Sequence, residues 1–478
     1  MKRIIAPLCA LILCAGSLQG GQMFDRFFTG GTLRVDLLHT GTKGEERFTL
    51  DRAIEEGPWP GHRVNLVDTL NLGEYMVSVT DRTTNVLVYS RGFSSFFNEW
   101  QTTDEAVAGV WKTVPESVRF PSPRRAVRVA IARRDRRMEF HEVFSVVIDP
   151  ADPAQIMKER ARALFPVEAV MENGPSAVKV DIAIMGDGYA AADMEKYRKD
   201  VRRFVDDMFR THPFRERKND FNVWRIDVVS EESGIDVPGK NVWKRNALGT
   251  RYDTFGSARY VLTEENRAVR DIAAAAPYDF LCILVNDSRY GGGGIYNLYA
   301  TTYTNEVVPG QGWQMDYVFV HEFGHSFAGL ADEYYTSSTG YNDFYLPGIE
   351  PWEPNVTAGA DADHVKWKAL LSPGVPVPTP WEKTAYDSLE AIRGKLDRLA
   401  PDYYVKREPL RKSEEEILRR SAFAGKVGVF EGAGYVSKGL YRPSVDCRMF
   451  SLSLADFDPV CSAAIERMID FYADPGGK

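Results

Sequence analysis

The sequence predicts a multi-domain chain, with a sandwich-like all-β domain first and an α/β (α+β) domain after it. From Phe24 to about Pro150, short alternating segments (TLRVDLL, MVSVTD, NVLVYS, VRVAIA) are separated by Gly, Asn, Asp and Pro, the pattern of half-buried strands joined by turns. From Val178 the pattern changes: the apolar run VKVDIAIM leads through a Gly-Asp-Gly turn into a long helical stretch near Ala191, and FNVWRIDVVS and FLCILV follow as buried strands. Between the two lies a Pro-marked stretch, 149–177, whose pattern predicts a linker helix over 151–177. The expected division is therefore 1–20 a leader, 24–150 the β domain and 178–478 the second domain, with an insertion around 341–434.

The first twenty residues, MKRIIAPLCALILCAGSLQG, place Lys2 and Arg3 ahead of an apolar run and then small residues, which predicts a secretory signal peptide and an exported protein. Lipid attachment through Cys14 is the weaker reading, because Leu13 stands where a small residue belongs. No later run is long enough for a stable transmembrane anchor. A net charge of −8 argues against a nucleic-acid partner, and nothing in the sequence states the oligomeric state. Beyond the leader three cysteines remain: Cys282 falls in the apolar run FLCILV, and Cys447 and Cys461 are free to form a disulfide after export.

Further along, Gly-Asp-Gly at 186–188 lacks the rest of a nucleotide fingerprint and reads as a turn. Four glycines precede IYNLYATT; a flexible loop is one reading, and an exposed strand edge is the other. On the second reading Gly294, Ile295, Tyr296 and Asn297 head an edge to which a substrate peptide adds by main-chain hydrogen bonds. The stretch 341–434 is rich in Pro and Trp and then in charge, and its REPLRKSEEEILRRSAF segment reads as a helix with a solvated face.

The densest chemical signal is VFVHEFGHSFAGLADEYY, residues 318–335. The chain holds 7 histidines, so two of them four apart around a glutamate arise by chance with a probability below about one per cent. At 3.6 residues per turn His321 and His325 share one helix face and can converge on Zn²⁺. Glu322, rotated by about 100°, can reach a reacting water without ligating the ion. The set predicts a zinc hydrolase in which Glu322 serves as general base and then as proton donor to the leaving group.

Together with GLADEYY, three more segments, DIAIMGDGYAAADMEKYRKD, YSRGFSSFFNEWQTTDEA and GVFEGAGYVSKGLYRPSVDCRM, resemble the IgA peptidase family of zinc metallopeptidases over nearly the whole mature chain. The resemblance implies a β-rich N-terminal domain followed by a metzincin-like catalytic domain, and a secreted zinc endopeptidase. It carries the zinc ligands onto His321 and His325 and the catalytic base onto Glu322. Because Gly329 stands one place late for the common metzincin spacing, the third ligand falls on Asp332, with Glu333 as the alternative. Met449 becomes the methionine beneath the metal, and Tyr441 a catalytic hydroxyl at the cleft. The expected partner is a protein or peptide substrate, a host glycoprotein among the candidates. Two other functions share these residues: a glycan- or protein-binding surface protein with a structural zinc, and a zinc amidohydrolase acting on a non-protein amide.

Overall fold

The computed structural model describes residues 20–159, 164–336, 345–397, 400, 402–453 and 455–473. Residues 1–19 of the proposed leader, with Cys14, lie outside them. After helix α1 (Gly20–Phe27) come β1 (Phe28–Thr42), β2 (Glu45–Pro58), β3 (Tyr75–Asp81), β4 (Leu87–Phe93), β5 (Lys112–Pro123), β6 (Val127–Arg134), β7 (Phe140–Ile148) and β8 (Ile156–Lys158). They form two four-stranded sheets, ordered β5-β1-β2-β8 and β4-β3-β6-β7. Period-two alternation explains the packing: along β3 every second side chain is buried, and Tyr75, Val77 and Val79 meet Val35 and Leu37 of the other sheet in one apolar core. Two short helices, α2 (Phe96–Trp100) and α3 (Asp104–Val107), leave this domain toward the second one.

The second domain is built on a six-stranded sheet ordered β13-β14-β12-β10-β11-β9, comprising β9 (Val167–Met171), β10 (Val180–Asp187), β11 (Phe221–Ile226), β12 (Phe280–Val285), β13 (Gly292–Ile295) and β14 (Tyr299–Tyr303). The four inner strands run parallel, and β9 and β13 are antiparallel edges. β10 and β12 are buried along their whole length, which is why they read as unbroken apolar runs. On one face Ile182, Ile184, Cys282 and Leu284 pack with α4 (Met194–Met208), α6 (Trp313–Ala328) and α9 (Pro459–Ala473). On the other, Ala183, Met185, Leu281 and Ile283 pack with α5 (Asn266–Ala273) and with Phe96, Phe97 and Trp100 of α2. The N-terminal domain thus supplies part of the second domain's core.

The remaining elements are α7 (Lys383–Arg393), α8 (Tyr403–Arg420) and a hairpin of β15 (Phe430–Ala433) and β16 (Val436–Arg442). One expectation fails. Among the described residues of 151–177 there is no α-helix; Ile156–Lys158 adds to β2 of the first domain and Val167–Met171 to β11 of the second. Open sheet edges on both sides offer this stretch backbone partners, and pairing along them overrides its local helical pattern.

Candidate metal centre and its cleft

α6 is the element that makes the site. Its C-terminal half carries His321, Glu322 and His325, and Gly329, at φ 62°, stops it in a left-handed conformation that a side chain would strain. The chain then turns back, so that Asp332 returns to the two histidines. His321 Nε2 and His325 Nε2 stand 3.2 Å apart, and Asp332 Oδ1 lies 3.0 and 3.2 Å from them. Each ring is oriented from behind: His321 Nδ1 donates to the Arg448 carbonyl at 3.1 Å and His325 Nδ1 to the Leu330 carbonyl at 2.5 Å. With the Nδ1 protons so placed, both Nε2 lone pairs face Asp332 Oδ1, a buried atom with no hydrogen-bond partner.

The residues present fit a metal ion. Three donor atoms about 3 Å apart match one face of a tetrahedron with bonds of about 2.0–2.1 Å, and the orphaned carboxylate oxygen is accounted for by a cation. The electrostatics agree. Burial opposes charge on His325, yet the Asp332 carboxylate outweighs it and pushes that imidazole up to about 9. Burial likewise opposes charge on Asp332, but the His325 imidazole holds this carboxyl well below the usual range. Glu322 borders the cleft beside them; burial pushes its carboxyl above the ordinary value, against the pull of both histidines.

Glu333, the alternative third ligand, turns the other way. Its Oε1 accepts the Asn355 side-chain amide at 2.9 Å and the Cys461 thiol at 3.2 Å. Asn355 also bonds both backbone groups of Ala331, at 2.8 and 2.9 Å, and so braces the turn that delivers Asp332. Met449 is fully buried below α6, where a side chain at Gly324 would meet its sulfur at 3.2 Å.

Three expected details change. Tyr441 does not border the cleft: it pairs through its backbone with Thr357 and packs beside the Val365–Trp367 cluster. A hydroxyl that does reach the acid ligand is that of Tyr435, which donates to Asp332 Oδ2. Tyr435 occupies the β15–β16 turn at φ 65°, and amides of this turn bond the carbonyls of Asp332 and Tyr334 at 3.0 Å each. Sequence reasoning missed Tyr435, Tyr334, Arg259 and Asn355, which sit far from the histidine motif in sequence or, for Tyr334, carry no distinguishing signal.

The edge also narrows. β13 is an edge strand bordering the cleft, but Tyr296 and Asn297 belong to the following turn, Asn297 at φ 56°. Gly292 directs its N–H to Arg259 and its carbonyl to Val261, at 3.1 Å each, so Gly294, two residues on, faces the same way and is the half-buried edge position at the cleft. The glycines serve close packing: a Cβ at Gly294 would strike the Glu322 carbonyl and come within 2.9 Å of His325 Cβ. Third, the disulfide expected between Cys447 and Cys461 is not formed. Both are buried free thiols, with Sγ atoms 3.8 Å apart and the Cys461 thiol engaged by Glu333.

Above the centre opens a cleft of about 1770 Å³, well beyond the few hundred Å³ that suit a small ligand. Asn98, Glu99 and Trp100 of the N-terminal domain line one side, and Tyr386, Tyr403 and Arg407 of α7 and α8 another. Two imidazoles and a carboxylate placed around one point, with a second carboxylate at their side and a wide cleft above, make a candidate metal site open to a large substrate. Residues 168–469 match the family described as IgA Peptidase M64, and residues 23–145 match Peptidase M64 N-terminus. The chain belongs to the IgA peptidase M64 family. A comparison with curated proteins finds no match.

Proposed function

We propose that the protein is an exported zinc endopeptidase, with His321, His325 and Asp332 as ligands and Glu322 as general base, acting on a protein or peptide substrate. The observation that carries this reading is the convergence of His321, His325 and Asp332 at the floor of a groove wide enough for a polypeptide. Zinc held there would supply Lewis acidity and lower the pKa of water toward about 7. Glu322 takes a proton from the attacking water and returns it to the leaving amine nitrogen, a task that suits a carboxyl whose affinity for protons burial has raised. Gly294 offers the substrate main chain an N–H and a carbonyl on the rim. Arg259 and Tyr334, joined by a 3.4 Å hydrogen bond, place further donors on the wall beside His321. Tyr435 holds Asp332 Oδ2, which leaves Oδ1 to the ion. We read the two N-terminal sheets as a sandwich that walls the groove, and the second domain as metzincin-like. Among the described residues no helix is long and apolar enough to cross a membrane.

The test is Glu322→Gln in the mature chain. Zinc content should stay near that of the native protein while cleavage of an unfolded protein substrate falls by several orders of magnitude. Undiminished turnover in that variant would overturn the mechanism, and a native protein that cleaves no polypeptide would overturn the substrate class.

A further inference from the structure

Directly behind the catalytic ligands lies a second cluster that the proposed reaction does not use. Glu333, Cys447, Asp458 and Cys461 come from three separate segments, and their ligand atoms all lie within 4.8 Å of one another. All four residues are buried, Asp458 the most exposed at 5%. We propose that they hold a second metal ion, a structural zinc closed by two thiolates and two carboxylates.

Four features carry this. The Sγ atoms stand 3.8 Å apart, the separation of two thiolates on one tetrahedral ion with Zn–S bonds of about 2.3 Å, which is about 3.8 Å. Glu333 Oε2 and Asp458 Oδ2 are buried without a hydrogen-bond partner, a costly state that a cation relieves. The amides of Met449 and Asp458 point at Cys447 Sγ, at 3.5 and 3.4 Å, as amides do around a ligating sulfur. The other carboxylate oxygens are already held as supporting groups hold ligands: Asp458 Oδ1 by the amides of Val460 and Cys461 at 2.7 and 2.9 Å, Glu333 Oε1 by Asn355. The buried Arg442 acts on Glu333 through its charge but donates to the carbonyls of Glu431, Gly432 and Val445, not to the carboxylate of Glu333 or Asp458. A disulfide would consume the sulfurs and leave both carboxylates unmatched.

Four protein ligands leave no open position, so this ion is structural. Its place gives it a purpose. Glu333 follows the catalytic Asp332 and bonds the Met449 carbonyl through its amide at 2.9 Å, while Cys447 is one residue from Arg448, whose carbonyl orients His321. The second ion would pin the loop, α9 and the Asp332 turn to one point, and so hold the catalytic ligands from behind.

The experiment is a zinc count and zinc-edge X-ray absorption on the mature protein, purified with zinc and without reductant, beside His321→Ala. The native chain should hold about two zinc ions and show a sulfur shell near 2.3 Å. His321→Ala should lose one ion and keep the sulfur shell, which separates this site from the catalytic one. A native chain with only nitrogen and oxygen neighbours, or a Cys447–Cys461 disulfide recovered by non-reducing peptide mapping, would overturn the proposal.

Discussion

Tyr435 illustrates what a single residue contributes here and why its role is hidden in the sequence. It stands about a hundred positions after Asp332 and reaches it because a two-residue turn places it at φ 65°, a conformation unfavourable for a residue with a side chain. The turn is tied to the Asp332–Tyr334 backbone by two hydrogen bonds, so the strain serves the position. Removing only the hydroxyl frees Asp332 Oδ2 to rotate; Tyr435→Phe should weaken zinc binding about 10–100-fold, read by competition with a chelator, while the fold persists. His321, Glu322 and His325 were legible because one helical turn brings them together whatever the rest of the fold does. Asp332 was legible as far as Gly329 signals a reversal, but its separation from Glu333 depends on Asn355 and Cys461, which only tertiary structure supplies. Tyr441 lies on the same hairpin as Tyr435, at a strand position that does not border the cleft, and only the folded hairpin distinguishes the two.

At the scale of elements, the approach of β13 to α6 decides the geometry. Gly292 and Gly294 lie against the helix, where added Cβ atoms would meet Val318, Glu322 and His325. The glycine run therefore reflects close backbone contact as well as the cleft edge, and the expectation of a four-residue edge was too broad because the chain turns at Tyr296. Gly294→Ala must push the strand off the zinc helix; a stability loss of about 1–3 kcal/mol is expected, with a lower melting temperature and reduced zinc affinity together. An unchanged melting temperature would show that the strand has room to move. The strands with continuous apolar runs were readable for the opposite reason: burial on both faces leaves no polar register to confuse. The strands within 151–177 are hidden behind a local helical pattern because their partners are sheet edges distant in sequence.

Across the whole molecule the two domains are joined by mixed contacts. Arg119 lies over the Tyr278 ring at 3.6 Å and donates to its carbonyl, Arg91 lies over Phe471 at 4.2 Å, and the Ser94 amide bonds the Tyr296 carbonyl at 3.0 Å. A two-part chain was visible in the change of pattern near residue 178, but this union was not, because residues such as Phe96 and Trp100 look like local core until the sheet they cover is known. Near the cleft the junction includes a pair of acids, Glu353 buried and Glu74 half-buried. Glu74 of the first domain accepts the Trp352 indole at 2.7 Å, and the neighbouring Glu353 accepts the Tyr345 hydroxyl at 2.8 Å. Burial pushes Glu353 up to about 7, with Glu74 adding to the rise and Lys366 opposing it; burial also raises Glu74, against Trp352, Arg133 and Arg134. The folded chain therefore retains a proton on Glu353 that the unfolded chain releases near its ordinary value of 4.5. The contribution to stability is complete below that value and is lost as pH rises through about 7, amounting to up to about 3 kcal/mol. Glu353→Gln keeps an acceptor for Tyr345 and cannot ionise. Denaturant unfolding at pH 5 and pH 8 should show the native chain losing stability between the two, and the variant losing less and exceeding the native chain at pH 8. Parallel pH profiles for the two proteins would place the ionisation elsewhere.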